Sequence, residues 1–224
     1  MGPPGSGKGT QSELVSDKPN LYYFETSKVI EENVMRAKKE DYATVGGKRY
    51  SLTRERELWS TGILNTPEVV AFWVKDKINE LFKEGLGIVF AGSPRTLYEG
   101  KEVMPLLIKL YGAENIKIVL LEISPQETLF RNSHRRICQF MRHPVLSTRK
   151  EFLGLNYCPL DGSKLMHRKG LDDPETIKVR LSEYKERTYP LIKYFGEQGL
   201  AAKKINGEQP VEKVHSDILK ALEL

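Results

Sequence analysis

The residues with the clearest chemistry stand at the beginning of the chain: Gly2-Pro3-Pro4-Gly5-Ser6-Gly7-Lys8-Gly9-Thr10. Glycines at this density let consecutive backbone N–H groups turn inward without Cβ clashes. A lysine behind them can reach the β and γ phosphates of a bound nucleotide, and a hydroxyl just beyond can reach Mg²⁺ at the start of a helix. The strict pattern puts Ser or Thr directly after the lysine, whereas here Gly9 precedes Thr10. Gly5, Ser6, Gly7, Lys8, Gly9 and Thr10 are therefore the expected phosphate cradle. Further along, Arg131 and Arg135 lie four apart, on one face of the helix that Ser124-Pro125-Gln126-Glu127 opens as a capping box.

The elements that must hold these residues alternate between strand and helix. Apolar runs at Leu21-Tyr22-Tyr23-Phe24, 87–91, 116–123 and 201–205 are short and rich in β-branched or aromatic residues, as buried parallel strands are. Thr66-Pro67-Glu68 starts a helix with Val70, Val74, Ile78 and Leu81 on one face and Gly85 as its stop. Asp173-Pro174 starts another, with Ile177, Leu181 and Tyr184 on its apolar side; Val211, Val214, Ile218 and Leu222 mark the last. This rhythm predicts an α/β fold with a doubly wound parallel sheet, and the glycine-lysine loop makes it the P-loop NTPase type. Two stretches break it: 27–65, polar and helical around a Gly46-Gly47 break, and 137–167, with scattered Pro and Gly and both cysteines. They read as lid-like insertions over the carboxyl edge of the sheet, where open α/β folds bind ligands. The core is then 1–26, 66–136 and 168–224.

A phosphate loop normally follows a central strand, and no strand precedes this one. The expectation is that Met1 is an internal methionine and the natural chain starts several residues upstream.

Composition narrows the classes. The 224 residues, 39% hydrophobic and 29% charged, suffice for one good core and exclude wholesale disorder. Two cysteines exclude a disulfide scaffold, and no apolar run approaches the roughly 20 residues of a membrane span. The +5 net charge suits a protein that handles phosphate-rich ligands.

The variant loop with Gly9 between lysine and threonine resembles the adenylate kinase family. Gly92-Ser93-Pro94-Arg95-Thr96 resembles the family's segment after its third strand, residues 131–136 its arginine-rich lid entry, and 169–180 with Asp172-Asp173 its lid exit. The resemblance implies transfer of the γ-phosphoryl group of MgATP to AMP, giving two ADP. Gly5, Ser6, Gly7, Lys8, Gly9 and Thr10 would cradle the donor phosphates, with Arg131, Arg135 and Gln209 completing the donor site. Arg95 would hold the acceptor phosphate, while Arg135, Arg168 and Arg180 close on the transferring group. With Lys8 and Arg95 these form the expected catalytic set. No nucleophile or general base is needed, because the chemistry rests on positioning and positive charge.

On the acceptor side, Thr26, Ile63, Leu64 and Asn65 (after Gly62), Gly92, Arg95, Glu99, Arg168 and Arg180 occupy the family's binding positions. Three residues depart from the pattern. Glu31 stands where an arginine is expected, with Arg36 one to two turns later, and Glu99 replaces a glutamine. Ala91 replaces a carboxylate, with Glu25 as a substitute.

Family lids occur with a metal or with hydrogen bonds. Cys138-Gln139-Phe140-Met141 and Cys158-Pro159-Leu160-Asp161 occupy the metal frame, with Met141 where a thiolate is expected and His143 two residues on. Cys138, His143, Cys158 and Asp161 would make a structural Zn²⁺ set. The alternative is a metal-free lid packed around Phe140, Met141 and Phe152, with both thiols reduced.

Other classes stay open: a kinase for another nucleoside monophosphate, or an ATP-binding homologue with little or no transfer activity. A nucleic-acid binder would use the basic stretch 134–136 with Arg142 and His143, but no nucleic-acid motif accompanies it. The resemblance implies a cytoplasmic monomer whose partners are small nucleotides, without nucleic acid or membrane.

Overall fold

The computed structural model describes residues 1–61, 63–141, 143–146, 150–168 and 172–224, without the side chain of residue 151. Gly62, Arg142 and Lys169 lie outside the described residues.

The loop at 2–7 feeds helix α1 (Lys8–Ser16), followed by β1 (Leu21–Phe24) and α2 (Thr26–Val34). A hairpin of β2 (Tyr42–Val45) and β3 (Lys48–Ser51) leads to α3 (Leu52–Thr61). Then come α4 (Pro67–Lys83), β4 (Gly87–Phe90), α5 (Leu97–Tyr111), β5 (Val119–Glu122) and α6 (Pro125–His134). Three short strands follow, β6 (Arg135–Cys138), β7 (Pro144–Leu146) and β8 (Leu165–Met166). The chain ends with α7 (Pro174–Glu183), a π-helical turn over Tyr184–Thr188, α8 (Pro190–Glu197), β9 (Lys203–Asn206) and α9 (Val211–Leu222).

Local chemistry sets the ends. Ser124 Oγ accepts from Glu127 N at 3.2 Å and Asp173 accepts from Thr176 N at 3.0 Å, whereas Thr66, the N-cap expected before α4, makes no side-chain cap. Pro67, Pro125 and Pro174 each stand in a first turn, where a missing N–H costs nothing. Val70, Val74, Ile78 and Leu81 are all buried along α4. They pack with Phe24, Val103 and Phe195 into the main core, while Val15, Leu121, Ile205, Val214 and Ile218 form a second cluster under α9.

The fold is mixed α/β with parallel strands. Hydrogen bonding divides those strands into two pairs, β1 with β4 and β5 with β9. Met1 runs beside β5: its amino group donates to the Val119 carbonyl, and its own carbonyl accepts from Leu121 N at 2.9 Å. The phosphate loop therefore leaves from the β5 side. Segments after the carboxyl ends of all four strands, around Thr26, Gly92, Ser124 and Gly207, carry the candidate site.

Residues 27–65 differ from the helical expectation. Gly46 and Gly47 have φ of 57° and 78°, the backbone that a two-residue hairpin turn requires, and pair β2 with β3. Ala43, Val45 and Tyr50 pack against the main core. Residues 135–166 contain a three-stranded antiparallel sheet in the order β7-β6-β8 over a small core of Cys138, Val145, Cys158 and Leu165. No described helix is long and apolar enough to cross a membrane.

Candidate active site

The loop's conformation depends on Gly5 and Gly7, with φ of 80° and 90°. A Cβ on Gly5 would come within 2.5 Å of Asn132 Nδ2. Lys8 Nζ donates to the carbonyls of Gly2 and Pro3, each at 2.7 Å, folding the lysine back over the loop. Burial pushes the Lys8 ammonium down to about 7, helped by the positive charges of Arg95 and Arg180. Ser6 is buried beneath the loop, and Gly9 and Thr10 continue into the first turn of α1.

Arg95 sits in the turn after β4, with Nε donating to the Gly92 carbonyl at 2.6 Å. Burial lowers its pKa, opposed by Glu99 and Glu25. Arg180, on α7, is likewise lowered by burial, then by Arg168 and Arg95, with Asp172 opposing. Asp172 is 1% exposed and holds both stems of the lid: Arg135 Nη2 donates to Oδ1 at 2.7 Å, while Arg168 donates to both oxygens at 3.0 and 2.7 Å. Lys8, Arg95, Arg135, Arg168 and Arg180, from well-separated segments, thus share one field of positive charge.

Arg131 lies beside the loop, paired with Glu127 at 2.5 Å, with Nη2 donating to Gly207 O at 2.9 Å and Nη1 reaching Gly5 O at 3.5 Å. Gln209, two residues past Gly207, donates to Asn206 O at 2.9 Å and to Asp217 at 3.1 Å.

The acceptor-side residues come together around β1 and β4. Thr26 is 2% exposed, yet its hydroxyl is without a partner among the described residues. A Cβ on Gly92 would lie 2.9 Å from Arg95 Nη2 and 3.6 Å from the Thr26 hydroxyl, so the three form one wall. A buried orphan hydroxyl beside a guanidinium suits an oxyanion or hydroxyl ligand. Ile63 is exposed, Leu64 N donates to Glu183 Oε2 at 3.2 Å, and Asn65 is buried.

Glu99 turns into its own loop. It accepts from Arg95 N at 2.8 Å and from the Thr96 hydroxyl at 3.0 Å, while its N–H donates to Thr96 Oγ1 at 3.2 Å. Burial raises its pKa, opposed chiefly by the Arg95 N–H and the Thr96 hydroxyl. The signal was legible: Thr96-x-x-Glu99 is a capping box. Glu25 accepts from the Ser27 hydroxyl at 3.0 Å and lies 3.5 Å from Lys28, engaged with the start of its own helix. Arg36 is exposed beyond the end of α2.

In the lid, ligand atoms of Cys138, His143, Cys158 and Asp161 lie within 4.8 Å of one another. His143 Nδ1 is 3.5 Å from both sulfurs and 3.3 Å from Asp161 Oδ2, which is 3.0 Å from Cys138 Sγ. The Cys138 thiol and the Ser163 donors hold the Asp161 carboxyl well below the usual range. Burial raises the Cys158 thiol. Two sulfurs, one imidazole nitrogen and one carboxylate at these separations fit the edges of a tetrahedron around Zn²⁺.

Sequence reasoning passed over Asn132, fully buried between Gly5 and Arg135, and Glu55, buried at the base of the 63–66 segment. Neither belongs to a local motif.

A glycine loop at a helix N-terminus, faced by arginines from several elements, defines a nucleotide phosphate-handling α/β protein. The adenylate kinase family model matches residues 1–200. Proteins named adenylate kinase from Desulforudis audaxviator, Acholeplasma laidlawii and Methanothrix thermoacetophila are 32%, 31% and 30% identical to the chain. The alignments cover 99%, 100% and 99% of this chain, and 97%, 96% and 96% of those proteins. The chain belongs to the adenylate kinase family, and with it to the P-loop NTPase fold.

Proposed function

We propose that the arginine-lined cleft transfers the γ-phosphoryl group of ATP to AMP, giving two ADP. The observation that carries this reading is the convergence of Lys8, Arg95 and Arg180 from three separate segments: beyond the larger effect of burial, Arg95 and Arg180 lower the Lys8 ammonium and Arg95 lowers Arg180. Such a cluster is unfavourable until a polyanion neutralises it, and a transferring phosphoryl group is that polyanion.

In this reading, Gly5, Ser6, Gly7, Lys8, Gly9 and Thr10 hold the donor phosphates, and Arg131 and Gln209 flank the donor base. Mg²⁺, when bound with ATP, would neutralise phosphate charge, and Thr10 would supply the hydroxyl that holds it. Thr26, Gly92 and Arg95 take the acceptor phosphate and sugar side, with the 63–65 backbone against the nucleoside. Glu99 serves this site through Arg95, since its oxygens are engaged by the loop. Arg135 and Arg168 exchange Asp172 for the phosphoryl oxygens as the lid closes, and Arg180 joins them there. Residues 27–65 and 137–167 act as the two lids, excluding water from the transfer. The two strand pairs belong to one doubly wound arrangement, with the loop between them.

Cys138, His143, Cys158 and Asp161 hold a structural Zn²⁺ in the lid. The donor set and its spacing support this over packing alone, since Phe140 and Met141 are exposed at 76% and 59% and seal nothing. The protein works as a cytoplasmic monomer on small nucleotides, a reading that rests on the family resemblance.

The test is an acceptor panel: the protein with MgATP is offered AMP, CMP, UMP, GMP and dAMP in turn. ADP formation with AMP as the best acceptor is expected. No diphosphate product from any acceptor would overturn the reading.

A further inference from the structure

Glu55 is a carboxylate in α3 with 2% exposure, and it belongs to none of the phosphate-binding sets named above. Its hydrogen-bond partners among the described residues are neutral donors. Oε2 accepts from Asn65 Nδ2 and from Thr66 N, both at 2.9 Å, and Oε1 accepts from the Thr66 hydroxyl. Asn65 Nδ2 also donates to the Glu55 backbone carbonyl at 2.7 Å. A carboxylate without a cation is costly to bury, so a geometry that satisfies it with three donors is strongly specified.

Those donors all belong to the junction between 63–65 and the start of α4. Thr66 is the N-cap residue of α4 but makes no side-chain cap of its own. Glu55 instead accepts from the N–H and hydroxyl of Thr66, setting negative charge beside the helix N-terminus. Both donations of Asn65 Nδ2 go to Glu55, and Leu64 N–H is held by Glu183, so the segment's direction is fixed from both sides.

We propose that Glu55 is a positioning residue for the acceptor: by clamping Asn65 and Thr66 it sets the 63–65 backbone against the acceptor nucleoside. This rests on the reading that 63–65 contacts the acceptor. A buried carboxylate that merely stabilised the fold would leave both substrates' KM values alone.

The experiment measures kcat, KM for AMP, KM for ATP and Tm for Glu55→Gln, Thr66→Val and Thr66→Ser in the full chain. Glu55→Gln swaps an acceptor oxygen for a donor and should raise KM for AMP about tenfold, as loss of one charge-assisted bond does, with KM for ATP within about twofold. Thr66→Val should move KM for AMP in the same direction, and Thr66→Ser, which keeps the hydroxyl, should restore it. Equal rises in both KM values, or an unchanged KM for AMP in folded Glu55→Gln, would overturn the proposal. If Glu55→Gln does not fold, the Thr66 pair decides by the same criterion. Backbone amide spectra of the unsubstituted protein, titrated with AMP, separate the underlying reading. Shifts at Leu64 and Asn65 uphold it independently of Glu55, and their absence overturns both.

Discussion

Asn132 carries the coupling between the phosphate loop and Arg135. Its Oδ1 accepts from Arg135 Nη2 at 2.8 Å, its Nδ2 donates to Thr128 O at 2.8 Å, and that same nitrogen fills the space a Gly5 side chain would need. One fully buried amide thus sets the height of the loop and the direction of a lid-stem guanidinium. Asn132→Leu keeps bulk but gives Arg135 no acceptor. Because Asp172 still holds the guanidinium, kcat/KM for ATP should fall only about tenfold, read by steady-state kinetics. Gly5→Ala adds both φ strain and the clash, and should abolish measurable ATP binding in calorimetry.

Lys8 makes donor binding pH-dependent. Free, its ammonium titrates at about 7; beside ATP phosphates its pKa must rise, because the anion favours the charged form. Above pH 7 binding therefore takes up a proton, and Kd for ATP should rise with pH, approaching tenfold per unit between the free and bound values. Calorimetry at pH 8 in two buffers of different ionisation enthalpy should show uptake close to one proton. Lys8→Met should abolish that uptake.

Arg95 is pinned by Gly92 O through Nε, leaving its terminal nitrogens directed at the Thr26–Gly92 wall. Arg95→Lys keeps the charge but loses the planar fork. It should lower kcat/KM for AMP by about 10²–10³, with ATP binding little changed in a direct titration. Rescue to near full activity by lysine would show that charge alone is at work.

Glu99→Gln removes one of two acceptor oxygens from the turn that carries Arg95. The expected outcome is a Tm lower by about 2–4 °C, one hydrogen bond's worth for a chain of this size, and a higher KM for AMP. A lower KM would mean instead that the side chain reaches the acceptor base.

Stoichiometric Zn²⁺ should copurify with the protein, and removing it should expose two titratable thiols. Chelation or Cys158→Ser should lower Tm by about 10 °C, a loss of roughly 3 kcal/mol. Free thiols in the untreated protein, with no zinc by elemental analysis, would end the metal reading.

What the sequence made legible follows from range. The phosphate loop, the Pro67, Pro125 and Pro174 helix starts and the α4 face are local codes, written within a few residues and matched in the structure. The β2–β3 hairpin escaped because four-residue strands bounded by polar turns carry little periodicity, although Gly46-Gly47 is a hairpin signal. Asn132 and Glu55 escaped for a different reason. Each is a polar residue in a helix whose meaning depends on what the fold brings against it: Gly5 in one case, Asn65 and Thr66 in the other. The Thr96-x-x-Glu99 spacing is also a local code, and it accounts for the direction in which the Glu99 carboxylate turns.

Asp172 bonds to Arg135 and Arg168 at once, with almost no exposure. If these guanidiniums take the transferring phosphoryl group as proposed above, Asp172 is its surrogate in the open site. Closure becomes a ligand exchange, in which a tethered carboxylate yields its guanidiniums to a soluble anion of higher charge. Weak anions such as chloride or acetate lose that contest to a side chain that is always present. On the proposed reading, the two lid-stem guanidiniums are thereby screened against the commonest cellular ions before any recognition of base or sugar begins.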